Sequence, residues 1–121
     1  MKKILLFATL GFVLIQCESE NFQDKYGDVV PDCDTTAVSF STDIEPIMAE
    51  YCVSCHNTAS PFGGLDLSIY SGVKSAADNG DLADRITRSS TDALKMPPGE
   101  NLGDCNINTI IAWVDQGALE N

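Results

Sequence analysis

Histidine is almost missing from this chain: His56 is the only one in 121 residues. One imidazole cannot supply two ligands to a metal, and no acid, base and nucleophile set can be assembled around it, so an enzyme is not expected. Basic residues are scarce as well, with seven Lys and Arg against 18 Asp and Glu and a net charge of −11. Phosphate backbones attract cationic surfaces, which argues against nucleic acid as a partner. The longest apolar run, Ile4 to Ile15, falls short of the roughly 20 residues a membrane-spanning helix needs. Hairpin patterns, βαβ spacing and internal repeats are all lacking, which leaves helices and loops.

The chain opens with Met1-Lys2-Lys3, continues through the apolar run and reaches Gln16-Cys17. That order predicts a signal peptide over residues 1–16 and an exported bacterial protein of the periplasm or cell envelope. Leu14-Ile15-Gln16-Cys17 resembles a lipobox, although Gln16 stands where a small residue is usual. The resemblance implies lipid on Cys17, attachment to a membrane through it, and a polar tether over residues 17–38. The alternative is an ordinary export signal with an incidental cysteine. Loss of Lys2 and Lys3 would leave five basic residues against 18 acidic ones. An acidic surface of that kind suits a redox partner protein with a basic docking patch, or simply a well-solvated exterior.

Residues 52–56 read Cys-Val-Ser-Cys-His. In an exported chain this Cys-x-x-Cys-His run is an attachment signature for a c-type haem. Thiols separated by two residues lie about one helical turn apart, close enough to form thioethers with two vinyl groups on one porphyrin edge. His56, next in the chain, can then bind iron. A thiol redox pair and half of a zinc site are the competing readings of Cys52 and Cys55. Of the five cysteines, Cys33 and Cys105 are left over. In an oxidising compartment the simplest outcome is a disulfide from the segment before the first helix to the start of the last; the alternative is two free thiols.

The domain is expected over residues 39–121. Thr42 and Glu45 stand at capping-box spacing, and Ile44, Ile47, Met48 and Tyr51 make an apolar face on a helix that delivers Cys52 at its end. Asn57 to Gly64 is interrupted by Pro61 and paired glycines and should be irregular. Asp66 is placed to cap a helix over about Leu67–Ala77, with Ile69, Tyr70 and Val73 packing. A short helix follows over about Asp81–Ser89, burying Leu82 and Ile86. Pro97-Pro98 holds the chain around Met96 in a loop. The last helix, about Asn106–Gln116, carries Ile107, Ile110, Ile111, Trp113 and Val114. The fold class is all-α, with about four helices and long loops.

In this order, a helix ending in Cys-x-x-Cys-His, a later Met in a Pro-containing loop and an aromatic-bearing last helix resemble the class I c-type cytochrome family. More narrowly, they resemble small cytochrome c-like domains of exported bacterial lipoproteins. The resemblance spans about residues 40–118. It implies a cytochrome c-like fold around one covalent haem c with its iron. It also implies thioether attachment at Cys52 and Cys55, His56 and Met96 as iron ligands, and a backbone carbonyl at Pro61 that accepts the imidazole's other N–H.

Met96 also stands out without the family. Met1 would leave with the signal peptide and Met48 reads as core, so Met96, 40 residues beyond His56, is the candidate sixth ligand. Packing against haem, or Lys95 as ligand, are its alternatives. Arg85 and Arg88 are candidate partners for the haem propionates or plain surface charges, and Lys74 is a weaker one. One-electron transfer is the expected function. A haem-based sensor or small-ligand binder is the alternative, and a Cys-x-x-Cys thiol-redox or zinc-binding protein is a further one.

Overall fold

The computed structural model describes residues 33–121. Cys17, the expected signal peptide and most of the expected tether lie outside the described residues. Helix formation begins earlier than the Thr42–Glu45 spacing predicts. The Asp43 carboxylate accepts the Ser39 N–H at 2.8 Å, and Phe40–Ile44 form a π-helical turn that runs on as α1, Glu45–Tyr51. Thr42 is therefore already inside the helical segment. Phe40 explains the shift: it is buried and lies 5.6 Å, centroid to centroid, from Trp113, so the start of the segment is set by where this ring packs. Ile44, Ile47 and Met48 follow it into the core, with Met48 only 2% exposed. Met48 is thus core, as its helical spacing indicates.

After α1 come a two-residue antiparallel pair, β1 (His56–Asn57) and β2 (Ser60–Pro61), and a short 3₁₀ turn at Phe62–Gly64. The pair is too short to leave an alternating pattern in the sequence, which is why no hairpin is expected there. Gly63 and Gly64 have φ of 67° and 76°, a region that costs side-chain-bearing residues energy.

The next helix, α2, spans Tyr70–Asp78 rather than starting near Leu67. Asp66 does not cap it. Its carboxylate accepts hydrogen bonds from the Ser68 N–H at 2.9 Å and the Thr58 hydroxyl at 2.7 Å, besides the Ser68 hydroxyl. This Asx-type turn delays the helix by three residues. Ile69 is left 51% exposed, against the expected packing role, while Leu67 is buried. Gly72 lets the Asp66 carbonyl approach: a Cβ there would overlap that oxygen and lie 2.9 Å from its carbon. Helix α3, Asp81–Thr87, buries Leu82 and Ile86, and Arg88 ends it in an extended conformation, short of the expected Ser89. The last helix, α4, is Asp104–Asp115.

Ile110 and Trp113 of α4 are fully buried, with Ile107, Ile111 and Val114 packed at the edge of the core. Phe40, Tyr70 and Trp113 join three parts of the chain. The Phe40 and Tyr70 rings meet edge to face at 5.0 Å, the Tyr70 hydroxyl donates to the Ala118 carbonyl at 2.8 Å, and Trp113 Nε1–H donates to Leu119 O at 3.0 Å. Aromatic pairs of this kind contribute about 0.5–1.5 kcal/mol each beyond their buried area. The segment before the first helix is tied along α4 by the Cys33–Cys105 disulfide, Cα–Cα 5.6 Å. Gln116 adds to this tie, since its Oε1 accepts the Val38 N–H at 3.0 Å and its Nε2 donates to Thr35 O at 2.8 Å. Among the described residues, no helix is long and apolar enough to cross a membrane.

Candidate functional site

Where α1 ends, the Met48 carbonyl accepts both the Cys52 and the Val53 N–H at 2.9 Å. The chain then closes on itself, with the Cys55 and His56 N–H groups donating to the Cys52 carbonyl at 3.2 and 3.0 Å. Two thiols and one imidazole are thereby gathered on one turn at a helix end. The thiols are unlike one another: Cys52 is half-buried and Cys55 exposed, and neither is in a disulfide. Burial pushes the Cys52 thiol up to about 11, because a thiolate loses its hydration there. A nucleophilic thiol of a redox pair needs the opposite shift.

The imidazole is oriented by the loop that follows. Pairing of β1 with β2 puts His56 in register with Pro61, the Phe62 N–H donates to Cys55 O at 3.3 Å, and the Leu67 N–H donates to His56 O at 2.9 Å. Phe62 O then lies 3.1 Å from His56 Nδ1. A carbonyl can only accept, so Nδ1 carries the proton in this bond and the neutral ring keeps its lone pair on Nε2. The expected carbonyl at Pro61 is therefore corrected by one residue. Pro61 is taken up as the ladder partner of His56, and the chain turns over at Phe62–Gly64, which brings the next carbonyl to the ring.

Asn57 has no place in the sequence-based site, yet it ties the turn together. Its Nδ2 donates to Val53 O at 2.8 Å, and its Oδ1 accepts the Ala59 and Ser60 N–H groups at 3.0 and 2.9 Å. The only sequence cue is an Asn followed by small residues, a common turn pattern. Asp66 is the second such residue, holding Thr58 at the far side of the same loop.

Met96 belongs to a different part of the chain. Its N–H donates to Arg85 O at 3.0 Å, and Lys95 Nζ donates to Ile86 O at 3.3 Å, so the loop is fastened to α3. Asp92 supports it, accepting the Leu94 N–H at 2.8 Å and Arg88 Nη1–H at 2.9 Å. These bonds, the Leu94 one foremost, hold the Asp92 carboxyl below the usual carboxylate range. Pro97 is buried and Met96 half-buried. Arg88 also reaches Asp84, at 2.8 Å. Arg85 differs: its Nη1 is buried with no hydrogen-bond partner among the described residues. An orphaned guanidinium nitrogen of this kind calls for an anionic or carbonyl oxygen.

Cys33 and Cys105 are paired in a disulfide and so are withdrawn from any zinc site. Among the described residues, no group of three or more His, Cys, Asp or Glu is gathered for a metal ion.

Residues 52–100 match the model of a family described as Planctomycete cytochrome C. The matched stretch is less than half of the chain, and it contains Cys52, Cys55, His56, Arg85 and Met96. At that coarse level the match supports a cytochrome c-like family. The match supports covalently bound haem with iron, and an electron carrier rather than an enzyme. No curated protein and no solved structure matches the chain.

Proposed function

We propose that this chain carries one haem c and transfers single electrons in the cell envelope. The observation that carries the reading is the turn Cys52–His56, where two unpaired thiols accompany an imidazole whose Nδ1 proton is held by Phe62 O at 3.1 Å. The residues present fit the group. Cys52 and Cys55 would hold it as thioethers, and His56 Nε2 would face the iron. Phe62 O fixes the tautomer and strengthens the imidazole as a donor. Bound haem iron supplies the one-electron couple. Met96 would be the other iron ligand in this reading, and a thioether donor would stabilise the reduced state and raise the potential relative to a second nitrogen ligand.

The half-buried Cys52, with its thiol pushed up to about 11, speaks against the thiol-redox alternative. The packing of Phe40 on Trp113 joins the first helical segment to the last helix, which supports the cytochrome c-like fold of this reading. Lipid on Cys17 would tether the domain through residues 17–38, and the acidic surface would meet a basic patch on the redox partner.

The deciding experiment is expression of the full chain with a c-type maturation system, extraction with acidified acetone, and a reduced-minus-oxidised visible spectrum. Haem retained with a sharp low-spin reduced spectrum is the expected result. A colourless protein beside a working control cytochrome would overturn the reading. Carbon monoxide separates carrier from sensor: a six-coordinate carrier binds it poorly, and ready binding by the ferrous protein would favour the sensor. Fatty-acid labelling that persists in Cys17→Ala would remove the tether.

A further inference from the structure

We infer that Arg85, and not Arg88 or Lys74, is the residue that receives a haem propionate, and that it makes the propionate anchor and the Met96 loop one mechanical unit. The inference rests on the haem reading above and goes beyond it by choosing between two arginines that the sequence leaves equivalent and a weaker third candidate, Lys74.

Hydrogen-bond accounting separates them. Arg88 is already held between two carboxylates: Nε donates to Asp84 Oδ2 at 2.9 Å, Nη2 lies 2.8 Å from the same oxygen, and Nη1 donates to Asp92 Oδ2 at 2.9 Å. Another anion there would share the guanidinium with two carboxylates that already balance its charge. Lys74 is paired with Asp78 one turn along α2. Among the described residues, Arg85 makes one long ion-pair approach, Nε to Asp84 Oδ2 at 3.8 Å, and that oxygen is already shared with Arg88. Its Nη1 is buried and has no hydrogen-bond partner among the described residues. A buried guanidinium N–H left without an acceptor is destabilising, and a carboxylate oxygen is the acceptor that best offsets that cost, by a charge-assisted bond.

The place of Arg85 in the chain gives the second half of the inference. Its own carbonyl accepts the Met96 N–H at 3.0 Å. The residue that meets the carboxylate with its side chain thus holds the ligand loop with its backbone. Loss of the guanidinium should be felt in two ways: a positive charge near the iron is removed, which favours the ferric state, and the loop that presents Met96 loses a fixed neighbour.

The test uses the full-length holoprotein and its Arg85→Gln, Arg85→Lys and Arg88→Gln variants, compared by redox titration and by the propionate bending band in resonance Raman spectra. Arg85→Gln is expected to move the ferric/ferrous balance about tenfold toward ferric at fixed ambient potential, about 59 mV for a one-electron couple, and to shift the propionate band. Arg85→Lys should recover most of the potential, and Arg88→Gln should move it by less than half as much with the band unchanged. A wild-type potential and band in Arg85→Gln would overturn the inference while leaving the haem reading intact. So would equal shifts in Arg85→Gln and Arg88→Gln, or equal failure of Arg85→Gln and Arg85→Lys to mature, which would mark a packing role. A wild-type chain that retains no haem overturns both.

Discussion

Replacing Gly72 by alanine separates what helix propensity expects from what the packing allows. Gly72 is the third residue of α2, and in a free helix Gly→Ala is worth up to about 1 kcal/mol in favour of folding. Here the new Cβ would overlap the Asp66 carbonyl oxygen and sit 2.9 Å from its carbon. The nearest atoms at that site, Asp66 O, C and Cα, are backbone, so no flexible side chain can swing away. The Asp66–Leu67 segment must retreat, and overpacking of that kind costs about 1–3 kcal/mol. The retreat also pulls on the Leu67 N–H bond to His56 O, 2.9 Å long, whose loss adds about 0.5–1.5 kcal/mol. Set against the propensity gain, the expected result is a net destabilisation of about 1–3 kcal/mol. Urea unfolding of the full chain, followed by far-ultraviolet circular dichroism, measures it as a fall in midpoint at unchanged slope. Because the displaced segment bonds to His56, the haem absorption of the folded variant should change too. A Gly72→Ala protein as stable as wild type or more so, with an unchanged spectrum, would refute the reasoning.

Further outcomes follow from other parts of the fold. The Cys33–Cys105 bridge spans a sequence separation of 72 residues, and removing it as Cys33→Ser/Cys105→Ser should cost about 4 kcal/mol on the chain-entropy model, read as a large drop in thermal midpoint; a drop too small to measure would deny it that role. Met96→Ala should leave haem attached, make the iron five-coordinate or water-bound, and lower the potential; an unchanged spectrum would take Met96 off the iron. The Asp66 and Asp92 carboxyls are both held below the usual range, Asp66 chiefly by the Ser68 hydroxyl and Asp92 chiefly by the Leu94 N–H. Their contribution to stability is therefore present above the unfolded value of about 3.9 and is lost as pH falls through the lower folded values. Asp66→Asn should flatten the acid side of a stability-against-pH curve, and an acid limb as steep as wild type would show that Asp66 contributes nothing there.

Much of the chemistry was legible in the residues alone because it is local. Cys52, Cys55 and His56 are neighbours in the chain, so the structure had only to close one turn to gather them. The apolar faces of α1 and α4 were readable for a similar reason: helical periodicity records which side meets the core, as Ile44, Ile47, Met48, Ile110 and Trp113 illustrate. The pairing of Cys33 with Cys105 was open to simple counting once the other cysteines had roles.

Tertiary structure decided what depends on where separate segments meet. Spacing could nominate a carbonyl for His56 but not choose between adjacent peptides; a two-residue ladder and a glycine turn put Phe62 O there in place of Pro61 O. Asp66 has the side chain of a helix cap, yet Thr58 and Ser68 bind it first, so α2 starts late and Ile69 faces solvent. Arg85 and Arg88 are equivalent as letters three apart in the sequence. The positions of Asp84 and Asp92 engage Arg88 and leave Arg85 Nη1 buried without a partner among the described residues. The physical reason is common to these cases: residue type and periodicity fix what a group can bind, while the packing of distant segments fixes which partner reaches it.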